Sequence, residues 1–135
     1  MSALSQSSGS LAFDTNVLIA VLEGNPDLVE QWGRVSGGLL LAPVLGELLY
    51  EAQNSGRRLE NERRIMQLAK SMTFIACDQR VCTQYGQLKA ALKAKGCPIP
   101  ENDMWIAACC RAHDATLVTR DAHFGVVPDL SHEEW

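Results

Sequence analysis

Short apolar runs alternate with longer stretches of helical period along this chain. Leu11-Ala12-Phe13 is apolar and ends in Asp14. The run Val17-Leu18-Ile19-Ala20-Val21-Leu22 follows, so a strand should pass through Asp14 into a helix that stops at Gly24-Asn25-Pro26. A second helix is predicted over 27–35, with Leu28, Trp32 and Val35 on one face and Gly37-Gly38 at its end. Leu39-Leu40-Leu41-Ala42 is wholly apolar, as in a strand covered on both faces. Pro43 suits the first turn of the next helix, and Leu45, Leu48, Leu49 and Ala52 recur at helical spacing up to Asn54-Ser55-Gly56. The stretch 59–72 carries Glu60, Glu62, Arg63 and Arg64 on one side and Leu59, Ile65, Met66, Leu68 and Ala69 on the other. A third strand is predicted over 73–77. Asp78 should cap a long helix with Val81, Tyr85, Leu88 and Leu92 inward, ending at Gly96. After Pro98-Ile99-Pro100, Glu101-Asn102-Asp103 opens a helix lined by Trp105, Ala108, Cys109 and Ala112. A fourth strand follows over 115–119, and Val126-Val127 reads as an edge strand. Strands alternating with helices predict an α/β fold with a mainly parallel sheet and right-handed crossovers. No repeat or internal linker interrupts it. The organisation is one domain over 11–135, preceded by a frayed Ser-rich tail over 1–10.

In such a sheet all strand carboxyl ends point to one rim, where ligands bind. Asp14 directly follows the first strand, Glu47 lies one turn into the helix after the second, and Asp121 lies two residues past the fourth. The three converge on that rim, and Asp103, in the first turn after Pro100, reaches it from a helix N-terminus. Each has an ordinary alternative: Asp14, Asp103 and Asp121 as helix caps, Glu47 as a solvated helix residue. Glu47 resists that alternative, because Val44, Leu45, Leu48 and Leu49 surround it. A carboxylate buried there needs a partner, and several at one spot repel and raise one another's pKa. A divalent cation answers both problems. Oxygen ligands without a His or Cys pattern favour Mg²⁺ or Mn²⁺ over Zn²⁺, and such sites mostly serve phosphate chemistry.

Composition narrows the partners. At 135 residues and 47% hydrophobic, the chain can bury a sizeable core. A formal net charge of −4 argues against a broad basic nucleic-acid surface. The densest basic cluster, Arg57, Arg58, Arg63 and Arg64, is either a solvated helix face or a grip on RNA phosphates. Cys77, Cys82, Cys97, Cys109 and Cys110 include no CxxC pair, which predicts reduced thiols in a cytoplasmic protein. Cys109 and His113, four apart, are read as packed side chains rather than metal ligands. The start does not read as a signal peptide, and no apolar run approaches the ~20 residues of a membrane span.

The order Asp14-Thr15-Asn16, Gly46-Glu47-Leu48-Leu49-Tyr50, Asn102-Asp103 with Trp105-Ile106-Ala107-Ala108, then Thr119-Arg120-Asp121 resembles a PIN domain. More closely it resembles the ribonuclease toxins of VapBC toxin–antitoxin pairs. The stretch 115–124, through His123-Phe124, is similar to that family's last motif almost throughout. The likeness covers about Leu11 to the C-terminus, and the Ser-rich start departs from it. It implies a three-layer α/β/α sandwich with four to five strands and a metal-dependent endoribonuclease that inhibits translation. Asp14, Glu47, Asp103 and Asp121 would form the acidic pocket. Asp14 and Asp103 would bind Mg²⁺ (or Mn²⁺) directly, Glu47 and Asp121 partly through water, and Thr15, Asn16 and Thr119 would donate to the carboxylates. The resemblance further implies an RNA substrate, a homodimer formed through helices with Trp32, Tyr50, Leu59 and Met66 as contact candidates, and a VapB-like antitoxin whose Arg or Lys enters the acidic pocket. Two other classes stay open. One is a phosphatase-like α/β hydrolase with Asp14 as nucleophile, although a haloacid-dehalogenase-like enzyme would want Asp where Asn16 stands. The other is an inactive PIN-fold binding module.

Overall fold

Leu11–Phe13 (β1), Leu39–Leu41 (β2), Thr73–Ile75 (β3), Thr116–Val118 (β4) and His132–Glu133 (β5) form one sheet in a computed structural model that describes residues 10–135. The strand order is β3-β2-β1-β4-β5, and every pairing is parallel. The helices are Thr15–Leu22 (α1), Pro26–Gly33 (α2), Ala42–Gln53 (α3), Arg58–Ala69 (α4), Gln79–Lys95 (α5) and Glu101–His113 (α6), with a 3₁₀ turn at Ala122–Val126. They flank the sheet in the expected three-layer α/β/α arrangement. Successive strands step outward from β1 to β3, then the chain returns to place β4 on the other side of β1. The direction of winding therefore reverses between β1 and β4, and a crevice opens at such a reversal.

Local chemistry sets the helix boundaries. Asn25 caps α2 by accepting from the Leu28 N–H at 3.3 Å, which makes Pro26 the first helical residue rather than a breaker. The helix ends at Gly33, short of the expected Val35. Asp78 caps α5 through the Val81 N–H at 3.1 Å, and Gly96 closes it at φ +70°. β2 runs straight into α3: Leu41 is still extended and Ala42 already helical. Along α5 and α6, Tyr85 stacks on Trp105 with ring centroids 3.9 Å apart. Val126-Val127 does not form a strand. Val126 closes the 3₁₀ turn, Val127 is buried, and the edge strand is the exposed pair His132–Glu133. Of the expected tail only Ser10 is described, and its carbonyl accepts from the Thr116 N–H at 2.9 Å.

Ala12, Phe13, Leu40, Leu41, Leu117 and Val118 are buried at the centre of the sheet. Full burial of Phe13 contributes roughly 2–3 kcal/mol. Its ring lies edge-on to Trp32 at 5.0 Å and to Trp135 at 5.3 Å between centroids. This packing takes up part of the Trp32 ring and leaves it half-buried. Tyr50, Leu59 and Met66 do remain exposed. Below the ring passes Gly38, at φ +140°, where a Cβ would stand 2.7 Å from Phe13 Cε2 and 3.4 Å from the Leu11 carbonyl oxygen. Both the conformation and the close approach need glycine. Gly38→Ala should accordingly lower unfolding stability by about 2 kcal/mol, read as a reduced urea midpoint with an unchanged slope. A midpoint equal to that of wild type would show that the Phe13 ring yields freely.

Candidate active site

The side chains at the rim are placed by the ends of β1, β2 and β4 and by the start of α6. Asp14 ends β1 and caps α1. Its Oδ1 accepts from the Thr15 N–H at 2.8 Å and its Oδ2 from the Thr119 hydroxyl at 2.7 Å. Its own N–H donates to the Val118 carbonyl at 2.9 Å, tying the β1 exit to β4. Thr119 Oγ1 in turn accepts from the Asp121 N–H at 3.0 Å. Thr15 Oγ1 donates to Glu47 Oε1 at 2.5 Å. Asp14, Thr15 and Thr119 are each less than 8% exposed, so the inner part of this network is buried while Glu47 and Asp121 stay partly exposed. Asp103 enters from the first turn of α6. Asp14, Glu47, Asp103 and Asp121 all line one open cleft, together with Tyr50 and Glu51.

The electrostatics follow from the crowding. Burial raises the Asp14 pKa, with Glu47 and Asp121 adding to the rise and the bonds from Thr119 and Thr15 opposing it. Burial, then the charges of Asp14 and Asp121, push Asp103 up to about 6, against the pull of His123. The cluster thus holds more negative charge than its surroundings accept. Oxygen donors converging in an open cleft, with two carboxyls held above their ordinary range, fit a divalent cation.

The expected donors separate here. Thr15 and Thr119 bond to carboxylates as anticipated, whereas Asn16 is exposed and, among the described residues, bonds to none of them. The arginines do not reach the cleft. Arg57 pairs with Glu60 at 3.6 Å, Arg64 donates to the Leu22 carbonyl, and none of Arg57, Arg58, Arg63 and Arg64 lines it. Cys109 is core, its sulfur 3.9 Å from that of Cys77, and all five thiols are free. One site residue was missed. His123 stands at the cleft with Nδ1 3.0 Å from Asp121 Oδ1 and 3.5 Å from Asp103 Oδ2. Its signal, Asp-x-His just past a strand, was present within the last motif.

The family model for the PIN domain matches residues 11–130. The chain belongs to the PIN-domain family. Its relatives include "Ribonuclease VapC1" of Haemophilus influenzae, 28% identical over 90% of this chain and 95% of that protein. "Ribonuclease VapC4" of Mycobacterium tuberculosis is 31% identical over 87% of this chain and 90% of that protein. Among solved structures, VapBC2 of Rickettsia felis, bound to a DNA fragment from their promoter, superposes with a TM-score of 0.86 at 26% identity. The match covers 93% of this chain and 98% of that one. These likenesses place this PIN domain among the VapC proteins.

The raised Asp103 pKa has a thermodynamic sign. The folded PIN domain holds this proton more tightly than the unfolded chain, whose carboxyl titrates near 4. The stability the group contributes is therefore complete below about pH 4 and is lost as the pH rises through about 6. In chelator, Asp103→Asn should raise the melting temperature by about 3 °C near pH 7.5 and give no gain near pH 4. A calorimetric gain of equal size at both pH values would contradict the raised pKa.

Proposed function

We propose that this chain is a metal-dependent endoribonuclease toxin, held inactive by a VapB-like antitoxin. The observation that carries the reading is the convergence of Asp14, Glu47, Asp103 and Asp121 on one cleft at the winding reversal. The names of its relatives, Ribonuclease VapC1 and Ribonuclease VapC4, support the activity, and the VapBC2 structure supports the pairing. Asp14 and Asp103 would hold Mg²⁺ or Mn²⁺ directly, with Glu47 and Asp121 completing the shell. The bound ion would supply an acidified water and positive charge against the scissile phosphate. Thr119 and Thr15 act by fixing the carboxylates: each uses its hydroxyl to stop an acidic side chain from swinging away under repulsion. The exposed mouth, with Tyr50 and Asn16 at its edge, leaves room for an extended RNA strand. A cationic antitoxin side chain would suit the same acidic cleft and the net charge of −4.

The phosphatase reading is less well served. Both Asp14 oxygens accept hydrogen bonds, an arrangement suited to a fixed ligand rather than an attacking nucleophile. Homodimerisation and a cytoplasmic setting belong to the same proposal. They are supported by the exposed Tyr50, Leu59 and Met66 and by the five free thiols.

Asp14→Asn keeps the side-chain shape and the bond from the Thr15 N–H but removes the charge. RNA cleavage should fall by about a hundredfold or more while the circular dichroism spectrum is retained. A variant that cuts RNA at the wild-type rate would reduce Asp14 to a helix cap. Hydrolysis of a generic phosphomonoester by wild type in chelator would favour the phosphatase instead. Thr119→Val should weaken divalent-ion binding about tenfold by releasing Asp14 Oδ2, measured by titration calorimetry. Unchanged affinity would count against its orienting role.

A further inference from the structure

Among the described residues His123 is the one imidazole lining the acidic cleft, and its Nδ1 stands within hydrogen-bond distance of the Asp121 carboxylate, 3.1 Å from Oδ2. Its side chain is 55% exposed, while the next residue, Phe124, is fully buried and anchors the turn. The Asp121 carboxylate accepts from the His123 backbone N–H at 2.8 Å, forming a tight turn that brings both side chains to one side. The donor atoms of Asp103, Asp121 and His123 then lie within 4.8 Å of one another. Octahedral sites with bonds of about 2.1 Å place neighbouring donor atoms about 3 Å apart. Nδ1 meets Asp121 at 3.0 Å, a hydrogen-bond distance, and Asp103 at 3.5 Å; with the proton of that bond lost, the nitrogen and both carboxylates are close enough for one ion to reach all three.

We propose that His123 Nδ1 is a direct metal ligand beside Asp103 and Asp121, and that this nitrogen makes the site select Mn²⁺ over Mg²⁺. The proposal rests on the metal-dependent reading above and refines it. Mg²⁺ keeps to oxygen donors and dehydrates reluctantly, whereas first-row divalent ions accept imidazole nitrogen alongside carboxylates. An all-carboxylate pocket would not discriminate in this way. The neutral imidazole also fills a coordination position without adding another repelling carboxylate.

Two measurements on the intact chain test this without reference to catalysis. Pulsed electron paramagnetic resonance of the Mn²⁺-loaded protein should show nitrogen modulation from a coordinated imidazole. His123→Gln keeps the backbone turn and should abolish that signal. The same substitution should weaken Mn²⁺ binding about tenfold while changing Mg²⁺ binding by less than about twofold. Absence of nitrogen modulation in wild type with Mn²⁺ bound, or its persistence in His123→Gln, overturns the proposal. So does an equal loss for both ions, which would make His123 a positioning residue for Asp121. Asp103→Asn is the control for the underlying reading. If Mn²⁺ binds wild type and Asp103→Asn equally well, the ion sits elsewhere, and the metal-dependent assignment of this cleft falls together with the proposal.

Discussion

Asp14 is buried where Glu47 and Asp121 oppose its charge, and the fold keeps it there by occupying both of its oxygens. Losing one buried bond of this kind costs about 1–3 kcal/mol. That is small beside the apolar core beneath, in which Phe13, Leu40, Leu41 and Leu117 are closed off from water. The core supplies the stability and the rim uses part of it to confine like charges. Thr15 and Thr119 convert that confinement into defined directions, because each hydroxyl has a fixed partner among the acids. β2 passes into α3 without a loop, so Glu47 is mounted on rigid backbone and cannot retreat from its neighbours.

The parts of this design with a strong periodic or capping signal were legible in the amino-acid sequence. The apolar runs at Leu11-Phe13 and Leu39-Leu41, the caps at Asp14 and Asp78 and the stop at Gly96 all lie where their chemistry puts them. The convergence of Asp14, Glu47 and Asp121 followed from parallel topology, whereas Asp103, with no strand before it, was placed only by its helix N-terminus. What failed to show was whatever depends on tertiary context. β5 is made of His132 and Glu133, both exposed, so no hydrophobic alternation marks it. The half-burial of Trp32 did not show either, because a helical face does not reveal that Phe13 lies against it. Asn16 shares a motif with Asp14, yet the helix leaves it at the exposed edge of the cleft, where among the described residues it bonds to none of the carboxylates. His123 carries no periodic signal, and only the 3₁₀ turn that returns it to Asp121 shows its place.

The helices that shape the cleft also border a second feature. Ile19 and Glu51 line the acidic cleft and equally an apolar groove formed with Leu22, Leu48 and Ile65. α1 and α3 therefore present carboxylates and hydrocarbon on adjoining surfaces. The two regions are continuous, and a shift of either helix would alter both.

The strand order also governs when the site can exist during synthesis. β1, β2 and β3 emerge from the ribosome in order and can pair as they appear, but β4 completes the other side of β1 only after all three. The bond from Thr119 to Asp14 spans 105 positions. Until β4 docks, the central strand is a bare edge, and Asp14 lacks the partner that holds one of its oxygens. The nascent polypeptide thus carries its first acid without a working pocket until the fourth strand has been made. The cleft closes around its charges only after Asp121, the last of its acids, has left the ribosome.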